Sequence, residues 1–130
     1  MTQLATFVVV VSNVEASIVF YCKFLGFIIA YDWHKAGEER IVRLRNKDYN
    51  IHLSLQLPLS DWEQQPAGKQ SGNYPYITLE VSDLEQHYNA LVQNRAPLTR
   101  DLVSTLFGNF AYLTDPDGNK ICLSEYWVDA

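Results

Sequence analysis

The sequence predicts an α+β fold built from two copies of a βαβββ module. Two repeats at one spacing carry this prediction: VSNVE at 11–15 recurs as VSDLE at 81–85, and IHLS at 51–54 recurs as ICLS at 121–124. Both pairs are separated by 70 residues (81 − 11 and 121 − 51). A third observation agrees, because strand-like and helix-like runs follow in the same order in both halves. The chain therefore reads as an internally duplicated unit.

Each module begins with a strand followed by a helix. TFVVVVS and the alternating run YPYITLEVS are typical of strands. The final serine of each run begins an S-x-x-E pattern, which predicts capping boxes at Ser12/Glu15 and Ser82/Glu85. Apolar residues at helical spacing then predict one buried helix face per module. These are Val14, Ile18, Tyr21 and Leu25 in the first module and Leu84, Tyr88, Leu91 and Val92 in the second. Gly26 ends the first helix, and the second stops before Pro97.

Three further strands follow each helix. They are FIIAYDW, RIVRLRN and YNIHLSLQL in the first half and LTRDLV, NFAYLT and KICLSEY in the second. An Asp-Pro-Asp-Gly turn at 115–118 joins the last two. One domain thus spans 1–130, with the first module at about 4–57, a Pro/Gly/Gln-rich linker at 58–73 and the second module at about 74–127.

Composition excludes several partners. The net charge of −5 argues against nucleic acid, which requires a basic binding face. The apolar start is too short for a membrane span and lacks the basic region of a signal peptide. Cys22 and Cys122 form no disulfide framework, and free thiols suit a reducing compartment, so we expect a cytoplasmic protein.

VSNVEASIVFYCKFLGF followed by DPDGNKICL resembles the vicinal oxygen chelate superfamily, which includes glyoxalase I, bleomycin-resistance proteins and extradiol dioxygenases. The resemblance covers nearly the whole chain. It implies curved mixed sheets around a cleft, the glyoxalase/bleomycin-resistance fold, and many single-chain members of this length are homodimers. Superfamily enzymes carry metal ligands, usually His, Gln or Glu, on the first and last strands of each module. The matching positions here are Thr6, His52, Tyr76 and Cys122.

These four residues disfavour a metal cofactor. Threonine is a very poor ligand, tyrosine is an uncommon one, and cysteine is a good ligand only as a thiolate. We therefore expect no metal and no other cofactor. For Cys122 we favour a small residue packed on a sheet, with a reactive thiol as the alternative.

A polar row in one strand points to a ligand site. Period-2 alternation puts His52, Ser54 and Gln56 on the face opposite Leu53 and Leu55. By the same rule Tyr76 shares a face with Thr78, and Cys122 with Ser124. The resemblance adds Phe110 and Tyr112, and the offset of 70 makes Arg40 and Val42 their counterparts. Arg40 is either a ligand contact or a solvated hairpin charge. The predicted ligand-binding residues are Thr6, Arg40, His52, Ser54, Tyr76, Phe110, Tyr112, Cys122 and Ser124.

Aromatic, hydroxyl and imidazole groups together suit a small organic ligand. The sequence thus favours a metal-independent binding protein of the glyoxalase/bleomycin-resistance type, which sequesters a drug or a toxic metabolite as antibiotic-resistance proteins do. The alternative is an enzyme of the same superfamily, a lactoylglutathione-lyase-like lyase, an isomerase or a dioxygenase. It would use a metal, or His52 as general base with Tyr112 as acid.

We also expect a homodimer, since the apolar strands have edges to cover. Trp33, Trp62 and Trp127 suit either a pocket wall or a dimer seam.

Overall fold

The computed structural model describes residues 1–47, 50–58, 68 and 70–127. The chain divides into two compact units, Met1–Gln70 and Ser71–Ala130. Most of the predicted linker, including Trp62, lies outside the described residues. The repeated βαβββ order is confirmed in the described part of the chain, since each unit there contains one helix and one four-stranded mixed sheet.

The first unit has its strands in the order β1-β4-β3-β2. Its elements are β1 (Phe7–Val10), α1 (Val14–Leu25), β2 (Phe27–Trp33), β3 (Ile41–Asn46) and β4 (His52–Gln56). β1 pairs in parallel with β4, whereas β4 with β3 and β3 with β2 are antiparallel pairs. The first and last strands of the unit are therefore neighbours.

The second unit repeats this topology in the order β5-β8-β7-β6, with β5 parallel to β8. Its elements are β5 (Ile77–Glu80), α2 (Leu84–Gln93), β6 (Val103–Ser104), β7 (Gly108–Thr114) and β8 (Lys120–Tyr126). The strand predicted as LTRDLV is too long. Leu98 makes an isolated bridge to Leu113, and a bend at Arg100 separates that bridge from β6.

Alternate strand residues build each core against the helix of the same unit. The buried apolar residues at these alternate positions include Val9, Phe27, Val42, Leu44, Leu53 and Leu55 in the first unit and Ala111, Leu113, Ile121 and Leu123 in the second. Tyr21 of α1 is fully buried and makes edge-to-face contacts with Phe20 and Phe27. The predicted face of α1 is partly confirmed: Val14 and Tyr21 are buried, and Ile18 and Leu25 are half-buried.

The helix caps differ from the predicted capping boxes. The helices begin at Val14 and Leu84, so the N-cap positions are occupied by Asn13 and Asp83 rather than by the serines. The Asn13 side chain accepts a hydrogen bond from the Ala16 N–H at 3.1 Å, and Asp83 accepts one from the Gln86 N–H at 3.2 Å. Both serines lie one residue too early, and Asn and Asp are themselves preferred N-caps.

The turn between β7 and β8 is organised by one buried carboxylate. Asp115 Oδ1 accepts from the N–H groups of Asp117 at 3.0 Å and Asn119 at 2.8 Å. Its Oδ2 accepts from Asn119 Nδ2 at 2.8 Å. The predicted Asp-Pro-Asp-Gly turn is therefore present, and it holds the start of β8 in position beside β7.

Candidate functional site

The first sheet has a polar face on the side opposite α1. In β4, Leu53 and Leu55 are buried against the helix, whereas His52, Ser54 and Gln56 alternate with them and are half-buried. This agrees with the alternation in the sequence. We call the polar residues of this side, Thr6, Tyr31, Arg43, Arg45, His52 and Ser54, the first polar face; Val8 and Ile28 lie among them in the register.

Two hydrogen bonds position the predicted residues on this face. Thr6 Oγ1 and Ser54 Oγ are 2.9 Å apart, which joins the residue just before β1 to the middle of β4. His52 Nε2 lies 2.8 Å from Asn50 Oδ1. His52 Nδ1 is buried and has no hydrogen-bond partner among the described residues. One ring nitrogen is thus held in place, and the other remains to be satisfied.

The structure adds two residues that the sequence reasoning missed. Arg43 is paired with Ser54 and Arg45 with His52 across the antiparallel β3–β4 ladder. Directly opposed residues put their side chains on the same face, with Cβ atoms about 5 Å apart. The signal was present in the sequence IVRLRN, because Val42 and Leu44, which alternate with the two arginines, are buried.

The sheet registers also correct the counterparts assigned to Phe110 and Tyr112. Phe110 pairs with Ser124 and Tyr112 with Cys122. The residues in the same places of the first sheet are Arg43 and Arg45, an offset of 67 (110 − 43 and 112 − 45). The offset of 70, which named Arg40 and Val42, fails here because the second hairpin is longer. Cys122 follows Tyr112 by ten residues (122 − 112), and His52 follows Arg45 by seven (52 − 45).

Arg40 lies near the start of α1. Its guanidinium donates to Glu15 of α1 and makes a bidentate contact with Asp32, with Nε–Oδ1 at 3.0 Å and Nη2–Oδ2 at 2.8 Å. The hydrogen bonds from Arg40 lower the pKa of the Asp32 carboxyl. Arg40 and Glu15 line a groove of about 510 Å³ together with Ser12, Asn13, Val14, His34, Glu38, Glu39 and Leu57. The guanidinium donors of Arg40 already point at two carboxylates. Ligand binding by Arg40 therefore stays a prediction.

The second sheet has a polar face of different chemistry. The register places Thr78, Cys122 and Tyr112 side by side across β5, β8 and β7, and Ser124 beside Phe110. Tyr76 lies just before β5, at the same parity as Thr78, and its N–H bonds to the Lys120 carbonyl at 2.9 Å. We call the set Tyr76, Thr78, Phe110, Tyr112, Cys122 and Ser124 the second polar face. Its ligand-binding role stays a prediction.

Cys122 lies at the centre of this face and is 6% exposed. Burial raises the pKa of its thiol, and hydrogen bonds with Thr78 and Tyr112 oppose that shift to a smaller extent. Burial also raises the pKa of Tyr112, with a further contribution from the Cys122 charge, while the Arg100 guanidinium, 5.5 Å from the Tyr112 ring centroid, lowers it. At neutral pH Cys122 is therefore a protonated thiol, the form that packs well and reacts slowly.

The residues at the superfamily's metal-ligand positions do not fit a metal. In the first unit they are the Thr6 hydroxyl, already bonded to Ser54, and the His52 imidazole. In the second they are Tyr76 and a thiol whose raised pKa works against the thiolate that a metal requires. The part of the chain that the structure describes contains no group of three or more His, Cys, Asp and Glu placed to hold a metal ion.

Sequence comparison assigns the chain to a family. The sequence model of the Glyoxalase/Bleomycin resistance protein/Dioxygenase superfamily matches residues 3–123. The chain belongs to this superfamily, as the resemblance noted in the sequence implied. No curated protein matches the chain in sequence.

Solved structures of similar fold include one antibiotic-binding protein. The structure of UcmS2 is 23% identical with a TM-score of 0.81 and covers 95% of this chain and 98% of its own. TnmS3, an antibiotic-binding protein from Streptomyces sp. CB03234, is 22% identical with a TM-score of 0.77 and covers 97% of both chains. A glyoxalase/bleomycin resistance protein from the same strain is 25% identical with a TM-score of 0.68 and covers 94% of this chain and 99% of its own. These similarities confirm the fold.

Neither helix in the described residues is long and apolar enough to cross a bilayer.

Proposed function

We propose that this protein binds a small organic molecule without a metal and sequesters it, as a resistance-type protein does. The observation that carries the proposal is the second polar face. The rings of Phe110 and Tyr112 flank the buried Cys122 and Ser124 on one side of the sheet. Flat aromatic surface with a few fixed polar groups is the usual lining of a small-molecule site.

The polar groups of this face are suited to orienting a ligand. Ser124 is 0% exposed, and its hydroxyl has no hydrogen-bond partner among the described residues. A buried hydroxyl without a partner costs free energy, which a ligand donor or acceptor would recover. TnmS3, an antibiotic-binding protein of the same fold, supports the same class of function.

Metal-free binding is part of the proposal, and its reason is the chemistry of the donors. A protonated, buried Cys122 and a hydrogen-bonded Thr6 replace the carboxylates and imidazoles that divalent metals prefer. Titration of the protein with planar aromatic antibiotics, with and without a chelator, tests this directly. We expect saturable binding that the chelator leaves unchanged. Chelator-sensitive binding would contradict the proposal and favour a metal enzyme.

Variants locate the site in the same titration. Tyr112→Leu should weaken binding about ten-fold, since aromatic contacts of this kind contribute about 1 kcal/mol or more. Tyr74→Leu is the matched control, because Tyr74 is 76% exposed and belongs to neither polar face. His52→Gln, on the first polar face, keeps one donor and one acceptor, so it should cost at most about 1–2 kcal/mol of affinity. Equal losses in Tyr112→Leu and Tyr74→Leu would mean that the ligand binds elsewhere.

We also propose that the protein is a cytoplasmic homodimer. Both cysteines are free thiols, as a reducing compartment requires. Large apolar side chains are exposed in both units, among them Phe7, Ile29, Leu106, Phe107 and Trp127. A second copy of the chain would cover such residues. Sedimentation should show a dimer, and a monomer at tens of micromolar would contradict it, since stable interfaces bury about 1,600 Å².

A further inference from the structure

We propose that the first polar face binds the oxyanion group of a ligand, a carboxylate or a phosphate, through Arg43 and Arg45. This inference rests on the proposed function, from which it takes that the ligand is a small organic molecule. It goes further by naming a charged group that such a ligand carries and a surface of the first unit that recognises this group. The two arginines were not among the predicted site residues, and their position follows from the β3–β4 register.

The register gathers the donors on one surface. Arg43 and Arg45 are two residues apart on β3, so their side chains leave the sheet on one side roughly 7 Å apart along the strand. Ser54 and His52 are directly opposite them on β4. An arginine presents planar N–H donors that match the two oxygens of a carboxylate or phosphate. Two such forks on one half-buried surface supply donors for one anion or for two oxygens of the same group.

The positive charge of this face is uncompensated within the described residues. Neither Arg43 nor Arg45 makes an ion pair there, and the one hydrogen bond of Arg45 is a long contact of 3.5 Å to the Asn46 carbonyl. Arg40, three residues before Arg43, has carboxylate partners on both sides. Glu39 contacts the polar residues of β4 at the end far from His52, where it accepts from Gln56 Nε2 at 2.6 Å. Two adjacent half-buried cations repel each other, and a bound anion removes that repulsion.

His52 provides a second, independent observation. Its Nε2 contacts Asn50 Oδ1 at 2.8 Å, while Nδ1 is buried without a partner among the described residues. Buried polar atoms of native proteins are nearly always satisfied, and a ligand is one way of satisfying them. On the other side of Arg43, Tyr31 of β2 is paired with it and is 49% exposed. A ligand that carries its oxyanion on an aromatic ring would therefore find guanidinium and imidazole groups beside an open tyrosine ring.

The test compares charged and neutral probes of one shape. Benzoate and phenyl phosphate are titrated into isotope-labelled protein, with benzamide as the neutral analogue of benzoate. We expect both anions to shift the amide signals of β3 and β4 and the side-chain Nε–H signals of Arg43 and Arg45, and to bind at least about ten-fold more tightly than benzamide. Affinity for the anions should fall as salt is added, because the contact is between charges.

Variants separate this site from a general effect of charge. Arg43→Gln and Arg45→Gln should each weaken benzoate about ten-fold or more, and Arg45→Lys should weaken it less because the charge remains. Arg95→Gln is the matched control, since Arg95 is exposed, lies just after α2 and should leave the affinity unchanged. Benzamide binding as tightly as benzoate in the wild type would overturn the inference without any variant. So would shifts confined to the second unit, or equal losses in Arg45→Gln and Arg95→Gln.

The outcome is distinguishable from that of the proposed function. Binding of neutral aromatic antibiotics to the second polar face depends on Tyr112 and not on Arg45. If those antibiotics fail to bind while benzoate shifts Arg43 and Arg45, the proposed function is wrong and the oxyanion site stands. If the antibiotics bind and the protein does not distinguish benzoate from benzamide, the oxyanion site is wrong and the proposed function stands.

Discussion

The two sheets of this protein share one topology and carry different chemistry on their polar faces. Each pairs its first strand in parallel with its last and buries the alternate residues of its central strands against a helix. At equivalent positions on the opposite side, Arg43 is replaced by Phe110, Arg45 by Tyr112 and His52 by Cys122. The helix side of a duplicated sheet must stay apolar to form a core, whereas its other side is free to acquire a ligand site of its own.

The largest expected effect is on the free energy of unfolding, at a position where the second sheet requires glycine and the first sheet does not. Gly108 in β7 corresponds to Ile41 in β3 at the offset of 67 (108 − 41). Gly108 has φ +153, and a Cβ there would lie 2.0 Å from the Glu125 carbonyl oxygen. We expect Gly108→Ala to lower the free energy of unfolding by about 3 kcal/mol or more, measured by urea denaturation. Ile41→Ala is the control and should cost less than about 1.5 kcal/mol, since Ile41 is 48% exposed. Similar losses in the two variants would mean that β7 relaxes more easily than its contacts indicate.

The second prediction concerns Cys122, the counterpart of His52. Cys122→Ala should cost about 1 kcal/mol of unfolding free energy and leave ligand affinity within a few-fold. Burial raises the pKa of the thiol above its ordinary value of 9.0, so its stabilising effect is present below pH 9 and is lost as the pH rises through the folded-state pKa. Alkylation of Cys122 in a Cys22→Ala background should therefore be slow at pH 7 and faster in alkaline solution. Fast, stoichiometric modification at pH 7 that abolishes binding would show instead that the thiol is reactive.

A smaller effect distinguishes the ends of the two helices. Gly26, with φ 70, caps the C-terminal end of α1, whereas α2 is followed by Arg95, with φ 57 in the left-handed region that glycine prefers. The turn after α2 is a Schellman motif, with bonds from Ala96 N–H to the Leu91 carbonyl and from Arg95 N–H to the Val92 carbonyl. Gly26→Ala should therefore destabilise by about 1 kcal/mol, and Arg95→Gly should stabilise by up to about 1 kcal/mol. Thermal melting of both variants checks the two signs, and a destabilised Arg95→Gly would show that the arginine side chain contributes more than its backbone strain costs.

The smallest effect compares two equivalent serines. Ser54 Oγ lies 2.9 Å from Thr6 Oγ1, whereas the buried Ser124 Oγ has no partner among the described residues. Ser54→Ala should cost about 1 kcal/mol, since it removes a hydrogen bond. Ser124→Ala should be nearly neutral in the free protein and should lower ligand affinity if the hydroxyl orients a ligand. Chemical denaturation of both variants gives the first comparison. A loss above about 1.5 kcal/mol in Ser124→Ala would mean that its hydroxyl is satisfied in solution.

The order of elements could be predicted from the sequence because it depends on local alternation. Runs such as FIIAYDW and KICLSEY contain the signal for their own strands, and the observed β2 and β8 have the same limits. The capping residues were placed one position too early because Ser and Asn, or Ser and Asp, are adjacent and both are good caps. β6 was predicted too long because LTRDLV has strand-like residues throughout, whereas the chain bends at Arg100 and only Val103 and Ser104 pair with β7 as a strand.

The candidate site could be predicted in part. Alternation correctly grouped His52 with Ser54 and Cys122 with Ser124. The arginines of the first polar face were missed because one repeat offset was carried across hairpins of different length, although the parity of IVRLRN alone would have placed them. The partners of Arg40 lie 25 and 8 residues away in the chain, at Glu15 and Asp32, and no pattern in the sequence connects them.

The parallel pairing of first and last strands has a consequence for how the chain is made. Phe7 meets Leu53 and Ile77 meets Ile121, so the closing contacts span 46 residues (53 − 7) and 44 residues (121 − 77). Contacts of such long range slow folding, since a large loop must close before they form. On the ribosome, β1 must wait without its partner until β4 has emerged, and its apolar edge stays open during that time. A nascent chain arrested before Leu53 should therefore be protease-sensitive throughout β1. A chain in which Gln56 has left the ribosome should be protected from protease in β1.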